Sequence, residues 1–308
     1  MLYSVLYHAK PETNFMFYII DNGISKENKK SVQSMFKNKK AEVVFINSCD
    51  IEKAVGMNIE AGRWTLSTLQ RLYISDFLPS DVEKVLYLDC DMLVRGPLNE
   101  LYDTDLGEEY VIAGAEECLS ENNKHNIGLR EQDPCINAGM LLIDLQRWRN
   151  FEVGQKCLSF LKENLKHLQF FDQDIINAVL KDRIKVIHQK YNAYTVLFNY
   201  QYDEILRYRN ASKFCEPKMY QEAVLNPVIV HFTQDTISVR PWYQNGNHKF
   251  REEWLKMRNL TPWKNKPLWK DERPIGIKVK NYVFRLMPRF IAVELAAHIN
   301  ACHARKYS

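Results

Sequence analysis

Short apolar runs and longer amphipathic stretches alternate through the first two thirds of the chain. Two β-favouring runs, 15–20 and 42–47, flank the stretch 25–37, whose apolar residues recur at helical spacing. The serine at position 25 can cap that helix, and an Asn-Gly pair before it supplies a turn. This alternation is typical of βαβ units and predicts an α/β domain.

The same reasoning predicts the elements that follow. A helix is expected at 64–77, where Pro79 stops it. The later strand candidates are 84–88, 110–113, 139–143, 184–187 and 228–232, and the later helix candidates are 151–166 and 173–181. The run 84–88 is apolar and ends abruptly in acidic residues, so we expect a buried strand that opens into a loop.

The last part of the chain has a different pattern. Three prolines between 262 and 274 mark a linker, and a basic amphipathic segment follows at 277–301. Pro288 is expected to divide this segment into two helices. We therefore expect a catalytic domain at 1–262 and a linker with a basic amphipathic tail at 263–308.

Composition and charge narrow the classes of function. The 308 residues are 46% hydrophobic and 26% charged, which suits a folded chain with a full core and excludes a disordered one. The net charge of +4 conceals a basic tail, because residues 273–308 hold Glu294 as their single acid beside many Lys and Arg residues. The remaining body is slightly acidic, so we expect no nucleic-acid partner.

The cysteines and the apolar runs bear on location. The seven cysteines are scattered without a CxxC pair, which suits a reducing compartment. No run approaches the roughly 20 apolar residues of a spanning helix, and the first residues lack a signal-peptide pattern. We expect a soluble cytoplasmic protein whose segment 275–308 contacts an anionic membrane peripherally on its inner face, or instead packs on the catalytic domain.

Two acidic residues offer the first candidate chemistry. Asp89 and Asp91 directly follow the strand candidate 84–88, and ligands bind at the carboxyl ends of strands in open α/β sheets. Two carboxylates one residue apart can hold one Mg²⁺ or Mn²⁺ together with phosphate oxygens. By itself the pattern is also compatible with solvated loop carboxylates, or with a metal-dependent phosphohydrolase or nucleotidyltransferase.

The context of this pair resembles the metal-binding segment of glycosyltransferase family 8, whose members include bacterial lipopolysaccharide galactosyl- and glucosyltransferases and glycogenin. The resemblance covers about residues 4–245 and is carried by five ordered motifs, at 81–106, 70–73, 137–144, 172–177 and 231–242. It implies a GT-A fold, a Rossmann-like mixed sheet flanked by helices. It also implies that a hexose moves from UDP-galactose or UDP-glucose to a glycan or glycolipid with retention of configuration, with Mn²⁺ or Mg²⁺ as cofactor.

The resemblance assigns roles to five residues. Asp89, Asp91 and His231 would be the metal ligands, although a lone histidine at a strand end can also be structural. Asp172 and Gln173 would be catalytic residues that approach the sugar and its anomeric carbon. Gln173 would act as a weak nucleophile or as a stabilising dipole, and a same-face displacement without a covalent intermediate is equally compatible. The alternative for Asp172 is that it merely begins the helix that follows, because Asp is a good cap and acids favour a helix N-terminus.

Further residues would bind the donor: Arg71, Cys90, Asn137, Ala138, Gly139, Arg240 and Glu116. Two of these sites have a structural alternative: a surface salt bridge for Arg71 and a tight turn for 137–139. Relatives carry an acid that binds sugar hydroxyls near Glu116, and the match could equally fall on Glu117.

Two departures from the family pattern stand out. Arg240 replaces the lysine of the family's phosphate loop, and the interval 231–240 contains no glycine. The match also starts after the family's first strand, which carries uracil and ribose contacts. These departures leave a non-catalytic sugar-nucleotide or glycan-binding relative as an alternative function.

Overall fold

The protein is described here by a computed structural model that covers residues 1–56, 58–59 and 65–307. Its strands are β1 (Phe15–Asp21), β2 (Ala41–Asn47), β3 (Lys84–Leu88), β4 (Met92–Val94), β5 (Ile112–Ala115), β6 (Met140–Asp144), β7 (Ile184–Ile187), β8 (Ala193–Tyr194) and β9 (Ile229–His231). Its α-helices are α1 (Leu2–Tyr7), α2 (Lys26–Ser34), α3 (Ile51–Val55), α4 (Ile74–Phe77), α5 (Asn99–Tyr102), α6 (Glu121–Asn126), α7 (Leu145–Asn150), α8 (Val153–Asn164), α9 (Asp172–Leu180), α10 (Thr195–Asn199), α11 (Tyr202–Arg209), α12 (Pro217–Leu225), α13 (Arg251–Asn259), α14 (Ile275–Leu286) and α15 (Arg289–Ala304).

The strands form three mixed or parallel sheets. Strands β1 and β2 pair in parallel. The largest sheet has the order β3-β6-β5-β7, in which β6 runs antiparallel to both neighbours and β5 runs parallel to β7. A third sheet has the order β4-β9-β8. Helices α7, α8 and α9 pack against the largest sheet through a continuous apolar core. The predicted α/β architecture with a mixed sheet is therefore confirmed.

The predicted elements agree with the structure to within a few residues. Strands 84–88 and 184–187 have the predicted bounds, while the strand predicted at 110–113 is found at Ile112–Ala115. Trp64, the predicted first residue of one helix, lies outside the described residues. The rest of that helix is a 3-10 helix at Leu66–Tyr73, followed by α4. Hydroxyl groups at its start hydrogen-bond locally, as Thr68 does to the Thr65 carbonyl, and such bonds compete with regular α-helix.

The expectation that β3 is buried is wrong. All five of its residues are only half-buried. Within the described residues, β3 pairs only with β6, and β1 pairs only with β2. A cavity of about 1280 Å³ is lined by residues of both β1 and β3. The open edge of β3 faces this cavity, which explains why its side chains stay accessible.

The two helices of the tail differ in their packing. Helix α15 packs on α11, where Arg207 pairs with Glu294 at 2.5 Å and Arg289 pairs with Glu204 at 2.8 Å. Its alanines, such as Ala297, are buried in this contact. Helix α14 instead exposes most of its large apolar side chains. The division predicted at Pro288 is confirmed, and the division into domains stays a prediction. Among the described residues, no helix is both long and apolar enough to span a bilayer.

Candidate metal and donor site

The end of β3, the end of β9 and the start of β6 meet at one place. Asp89 and Asp91 follow β3, and His231 is the last residue of β9. The antiparallel register of β4 and β9 sets His231 opposite Met92, beside the acidic loop. The backbone N–H of Asp89 donates to the carbonyl of Gly139, 2.8 Å away, just before β6. Three separate segments are thereby fixed around the two carboxylates.

The side chains of Asp89, Asp91 and His231 converge on one point. One ligand atom from each lies within 4.8 Å of the others. His231 Nε2 is 3.2 Å from Asp91 Oδ1 and 3.8 Å from Asp89 Oδ2. His231 is buried, and both carboxylates are about three quarters covered. Two carboxylate oxygens and an imidazole nitrogen suit Mn²⁺, and the carboxylates suit Mg²⁺. The residues therefore fit the predicted metal.

Each carboxylate has its second oxygen held by neighbours. Asp89 Oδ1 accepts hydrogen bonds from the Tyr87 hydroxyl at 2.8 Å and from Arg71 at 2.9 Å. Asp91 Oδ2 accepts from Arg240 at 3.1 Å. These bonds leave Asp89 Oδ2 and Asp91 Oδ1 directed towards His231, which preorganises them as ligands. Tyr87 had not been predicted, although its position two residues before Asp89 on an extended chain was a usable signal.

The charges of this cluster support one another. Burial opposes the charged form of His231, but the Asp91 and Asp89 carboxylates outweigh it and hold its pKa above the ordinary value. Burial also opposes ionised Asp91, and His231 and Arg240 outweigh it to hold the Asp91 pKa below the ordinary value. The site therefore carries anionic ligands for a cation.

Arg71 is a buried connector rather than a surface residue. Its Nε lies 3.0 Å from Asp172 Oδ2, and its terminal nitrogen lies 2.9 Å from Asp89 Oδ1. It also donates to the carbonyl of Ala138 and covers the Tyr87 ring, 4.6 Å from the ring centre. The surface salt-bridge alternative is therefore wrong, because the guanidinium joins three segments inside the site.

Helix α9 begins with an unusual backbone. Phe171, which precedes it, has φ +52° and ψ −110°, a conformation that an aromatic residue rarely adopts. Asp172 is the first helical residue, one position after the cap position, which Phe171 occupies. Asp172 therefore begins the helix as an acid of its first turn, as the alternative expected, but it is not the cap residue. The carboxylate of Asp174 instead accepts from two backbone N–H groups before the helix. This arrangement directs the side chains at 172 and 173 towards the cavity.

The two predicted catalytic side chains differ in their surroundings. Gln173 Oε1 accepts a bond from the Ala138 N–H at 3.3 Å, while its buried Nε2 has no hydrogen-bond partner among the described residues. Burial raises the pKa of Asp172 to about 6, although Arg71 opposes the rise. Gln173 thus holds a buried donor without a partner beside the cavity, and Asp172 has a carboxylate that can gain a proton in mildly acidic solution.

The turn at Asn137 is tied to its surroundings on every side. Asn137 Nδ2 donates to Glu117 at 2.7 Å. Its Oδ1 accepts from the Gly139 N–H at 3.1 Å and from Asn192 Nδ2 at 2.9 Å. A Cβ on Gly139 would lie 2.3 Å from the His231 ring, so glycine is required here for close approach. The turn is therefore structural and also lines the cavity.

The structure brings some predicted residues together and leaves one aside. Cys90 and Ala138 line the cavity. Glu117 lines it as well and is almost fully buried, and burial raises its pKa. Glu116 is not among the cavity residues, as expected from the alternation of side chains along the extended chain that leaves β5. Of the two alternatives, Glu117 is the acid that lies beside Asn137.

Part of the cavity wall comes from the tail. Asn300 and His303 of α15 line the cavity together with Tyr208 and Arg209 of α11. Asn300 donates to the Tyr208 carbonyl at 2.7 Å, and Arg209 lies 3.6 Å from Glu117. Sequence reasoning treated the tail as separate from the site and did not predict these residues. These residues reach the cavity only through packing between helices that are distant in the chain, and the sequence pattern carries no information on such packing.

Comparison with known proteins identifies the family. A family model described as glycosyl transferase family 8 matches residues 1–246. The chain belongs to glycosyltransferase family 8. General stress protein A of Bacillus subtilis is 27% identical over 268 residues, which cover 85% of this chain and 88% of that protein. Lipopolysaccharide 1,3-galactosyltransferase of Salmonella typhimurium is 25% identical, over 83% of this chain and 72% of that protein.

A solved structure has the same fold as this family 8 chain. It is the galactosyltransferase LgtC in complex with donor and acceptor sugar analogs, with a TM-score of 0.71 and 24% identity. The match covers 85% of this chain and 92% of that one. The protein is therefore a glycosyltransferase of the GT-A fold, as the resemblance implied.

Proposed function

We propose that this glycosyltransferase moves a hexose from UDP-galactose or UDP-glucose to a lipopolysaccharide-type glycan or glycolipid, with retention of configuration and dependence on Mn²⁺ or Mg²⁺. The observation that carries the proposal is the convergence of Asp89, Asp91 and His231 beside the Arg71–Asp172 pair. The lipopolysaccharide galactosyltransferase relative supports the class of acceptor.

Different residues of the chain would have different roles in this reaction. Asp89, Asp91 and His231 would hold the metal, which when bound offsets the charge of the leaving diphosphate. Arg240, half-exposed and 3.1 Å from Asp91, would bind the diphosphate as a guanidinium. Asp172 would accept a hydrogen bond from a sugar hydroxyl. These roles place the sugar between the metal ligands and the start of α9.

The environment of Gln173 favours same-face displacement over a covalent intermediate. Its Oε1, the only candidate nucleophilic atom of the amide, already accepts a bond from the Ala138 N–H. Its buried Nε2 has no partner and is an N–H donor, which would bind a sugar hydroxyl if the donor sugar reached it. In the proposed step, the bond from the anomeric carbon to the diphosphate oxygen breaks and the bond to the acceptor oxygen forms on the same face. The leaving phosphate oxygen takes the proton of the acceptor hydroxyl.

The test is a panel of nucleotide sugars incubated with Mn²⁺, with and without a glycan acceptor. We expect UDP release from UDP-galactose or UDP-glucose, with the acceptor increasing the rate. If no donor released UDP, the alternative would be favoured that the protein is a non-catalytic sugar-nucleotide or glycan-binding relative. The altered phosphate loop supports that alternative. Release of UMP or inorganic phosphate would instead identify a nucleotidyltransferase or phosphohydrolase.

The activity is expected to fall as the pH drops below about 6, because protonation of Asp172 removes the hydrogen-bond acceptor and its ion pair with Arg71. The free energy of unfolding should instead rise as the pH drops. The native pKa of Asp172 is raised from 3.8 to about 6, so its contribution to stability is fully present below pH 3.8 and is lost as the pH rises through about 6. Asp172→Asn should remove the pH dependence of activity and that of stability near pH 6. The measurements are kcat/KM and melting temperature from pH 4.5 to 8. A variant whose kcat/KM still fell below about pH 6 as in the wild type would contradict the role of Asp172.

We also propose that α14 contacts an anionic membrane surface. Ile275, Val279, Tyr282 and Leu286 recur at i, i+4, i+7 and i+11, and all four are more than half exposed. Exposed basic residues lie on the same helix, among them Arg285. An apolar face beside basic groups suits insertion at the surface of anionic lipid.

Substitution tests this contact better than deletion, because the neighbouring α15 packs on the catalytic domain and lines the cavity. The triple variant Ile275→Ser, Val279→Ser and Leu286→Ser should bind anionic vesicles at least about tenfold more weakly, since each apolar side chain contributes roughly 1.5–3 kcal/mol on full burial. Donor hydrolysis should stay near the wild-type rate. The control is Leu225→Ser, at an apolar residue that is exposed elsewhere. Equal vesicle sedimentation by all three proteins would contradict the proposal.

A further inference from the structure

Asn192 is a fully buried amide next to the metal ligands, and the resemblance gave it no role. It lies between the turn after β7 and the short strand β8. Its Oδ1 is 3.1 Å from His231 Nδ1, and its Nδ2 is 2.9 Å from Asn137 Oδ1. One side chain therefore bridges the predicted metal ligand and the turn that lines the cavity.

The orientation of this amide follows from its neighbours. Asn137 Oδ1 accepts from a backbone N–H, that of Gly139, so this atom must be the oxygen. The other end of Asn137 donates to the Glu117 carboxylate. Asn192 must therefore direct its NH₂ group towards Asn137 and its oxygen towards His231. Each step rests on a partner that can only donate or only accept.

The same chain of bonds fixes the histidine. Because Asn192 Oδ1 is an acceptor, His231 Nδ1 must carry the hydrogen of that bond. His231 Nε2, which lies 3.2 Å from Asp91 and 3.8 Å from Asp89, is then the nitrogen whose lone pair can bind a cation. Ligating histidines generally have the other ring nitrogen held by such a partner, which fixes ring orientation and tautomer.

We propose that Asn192 is a positioning residue that presents His231 Nε2 to the metal and couples this ligand to the Asn137 turn at the donor sugar. The inference rests on the proposed function for the identity of the site. Through Asn192, the chain of bonds runs from Glu117 through Asn137 to His231 without an interruption. Metal affinity and donor-sugar affinity should therefore respond to this residue separately, according to which end of its amide is changed.

Two substitutions separate the two ends. Asn192→Leu keeps the size and removes both hydrogen bonds, and it should lower Mn²⁺ affinity about 10–100-fold. Asn192→Asp keeps an acceptor for His231 but places an oxygen against Asn137 Oδ1. It should bind Mn²⁺ within a few-fold of wild type, or more tightly, while KM for the donor sugar rises. Mn²⁺ binding is measured by electron paramagnetic resonance or calorimetry without any donor present.

The control is Gln189→Met, at an equally buried amide that donates to the Asn192 carbonyl and does not touch His231. It should lower the melting temperature without lowering Mn²⁺ affinity. Wild-type Mn²⁺ affinity in folded Asn192→Leu would overturn the proposal, and so would equal losses in the Leu and Asp variants. Failure of the donor panel alone would refute the proposed function and leave these binding results intact.

A measurement on the unaltered protein covers the case in which the Leu variant does not fold. Long-range proton–nitrogen spectra of protein labelled with ¹⁵N-histidine report which ring nitrogen carries hydrogen. With saturating Mg²⁺, which is diamagnetic, we expect the hydrogen of His231 on Nδ1. A hydrogen on Nε2 would overturn the proposal without any substitution at Asn192.

Discussion

Asp91→Asn is expected to lower hexose transfer by at least about a thousandfold. One carboxylate oxygen faces His231, where it would bind the proposed metal, and the other binds Arg240. A neutral amide is a weak ligand for Mn²⁺ or Mg²⁺, and in the proposed reaction a bound metal would provide several kcal/mol of stabilisation to the departing diphosphate. Since about 1.4 kcal/mol corresponds to a factor of ten, the loss of this ligand should exceed the effect of any single donor contact.

The fold should tolerate this substitution. Asp91 lies in a loop after β3 and its side chain is 25% exposed, so the variant should still fold, with a lower melting temperature because the pairs with the buried His231 and with Arg240 are lost. The measurements are the rate of UDP release at saturating Mn²⁺, Mn²⁺ affinity and melting temperature. Asp81→Asn, at an exposed acid before β3, is the matched control and should behave as wild type. Full activity of Asp91→Asn at low Mn²⁺ would contradict the metal assignment.

The sequence predicts those parts of the fold that have a local signal. Strand β3 and its acidic loop are predictable because four apolar residues follow Lys84 and end at two carboxylates. Strands β4 and β8 have three and two residues, too few to show a period of two. Helices α11 and α12 were missed although they had usable signals, a capping box formed by Gln201 and Glu204 and a proline at the first turn.

The residues of the site also differ in whether the sequence around them contains a local signal. His231 was predicted only through the resemblance, because nothing in its own segment points to a metal. Asn192 is 39 residues from His231 and 55 from Asn137, and a buried polar residue shows its partners only once the chain has folded. Glu116 and Glu117 show the limit of register, since a shift of one residue at the end of a strand moves a side chain from one face to the other.

The tail adds a limit of another kind. A change of composition after Trp263 suggests a separate segment, yet α15 covers part of the apolar cluster around Tyr220 and Val293 and also lines the cavity. Composition indicates which residues can be exposed, but it does not show on which part of the domain a helix packs. The structure thus assigns two surfaces to one segment, a packed one on α15 and an open one on α14.

Gly139→Ala is the second substitution for which we expect a large effect, and it tests the geometry of the site more directly. An added Cβ would lie 2.3 Å from His231 Cε1, 2.8 Å from His231 Nδ1 and 3.0 Å from Asn137 Oδ1. The ring has little freedom to retreat, because Asn192 holds it from one side and the strand β9 fixes its backbone. Either the ring or the turn must move.

Both movements should weaken the metal site. A rotated ring takes Nε2 away from the two carboxylates, and a displaced turn moves the Gly139 carbonyl that holds the backbone N–H of Asp89. We expect Mn²⁺ affinity to fall by about 10–100-fold and turnover to fall at least as much. The overpacked turn should also cost about 1–3 kcal/mol of stability.

Two other glycines separate the metal effect from general overpacking. A Cβ on Gly96 would meet Val228 at 3.6 Å, an ordinary contact, so Gly96→Ala should leave affinity and stability unchanged. A Cβ on Gly114 would lie 2.5 Å from Ile136 in the core, so Gly114→Ala should lower the melting temperature but not Mn²⁺ affinity. Measuring Mn²⁺ affinity, turnover and melting temperature for all three variants distinguishes the cases. If Gly139→Ala resembled Gly114→Ala, the His231 ring would not need the space that this glycine leaves, and its place among the metal ligands would be in error.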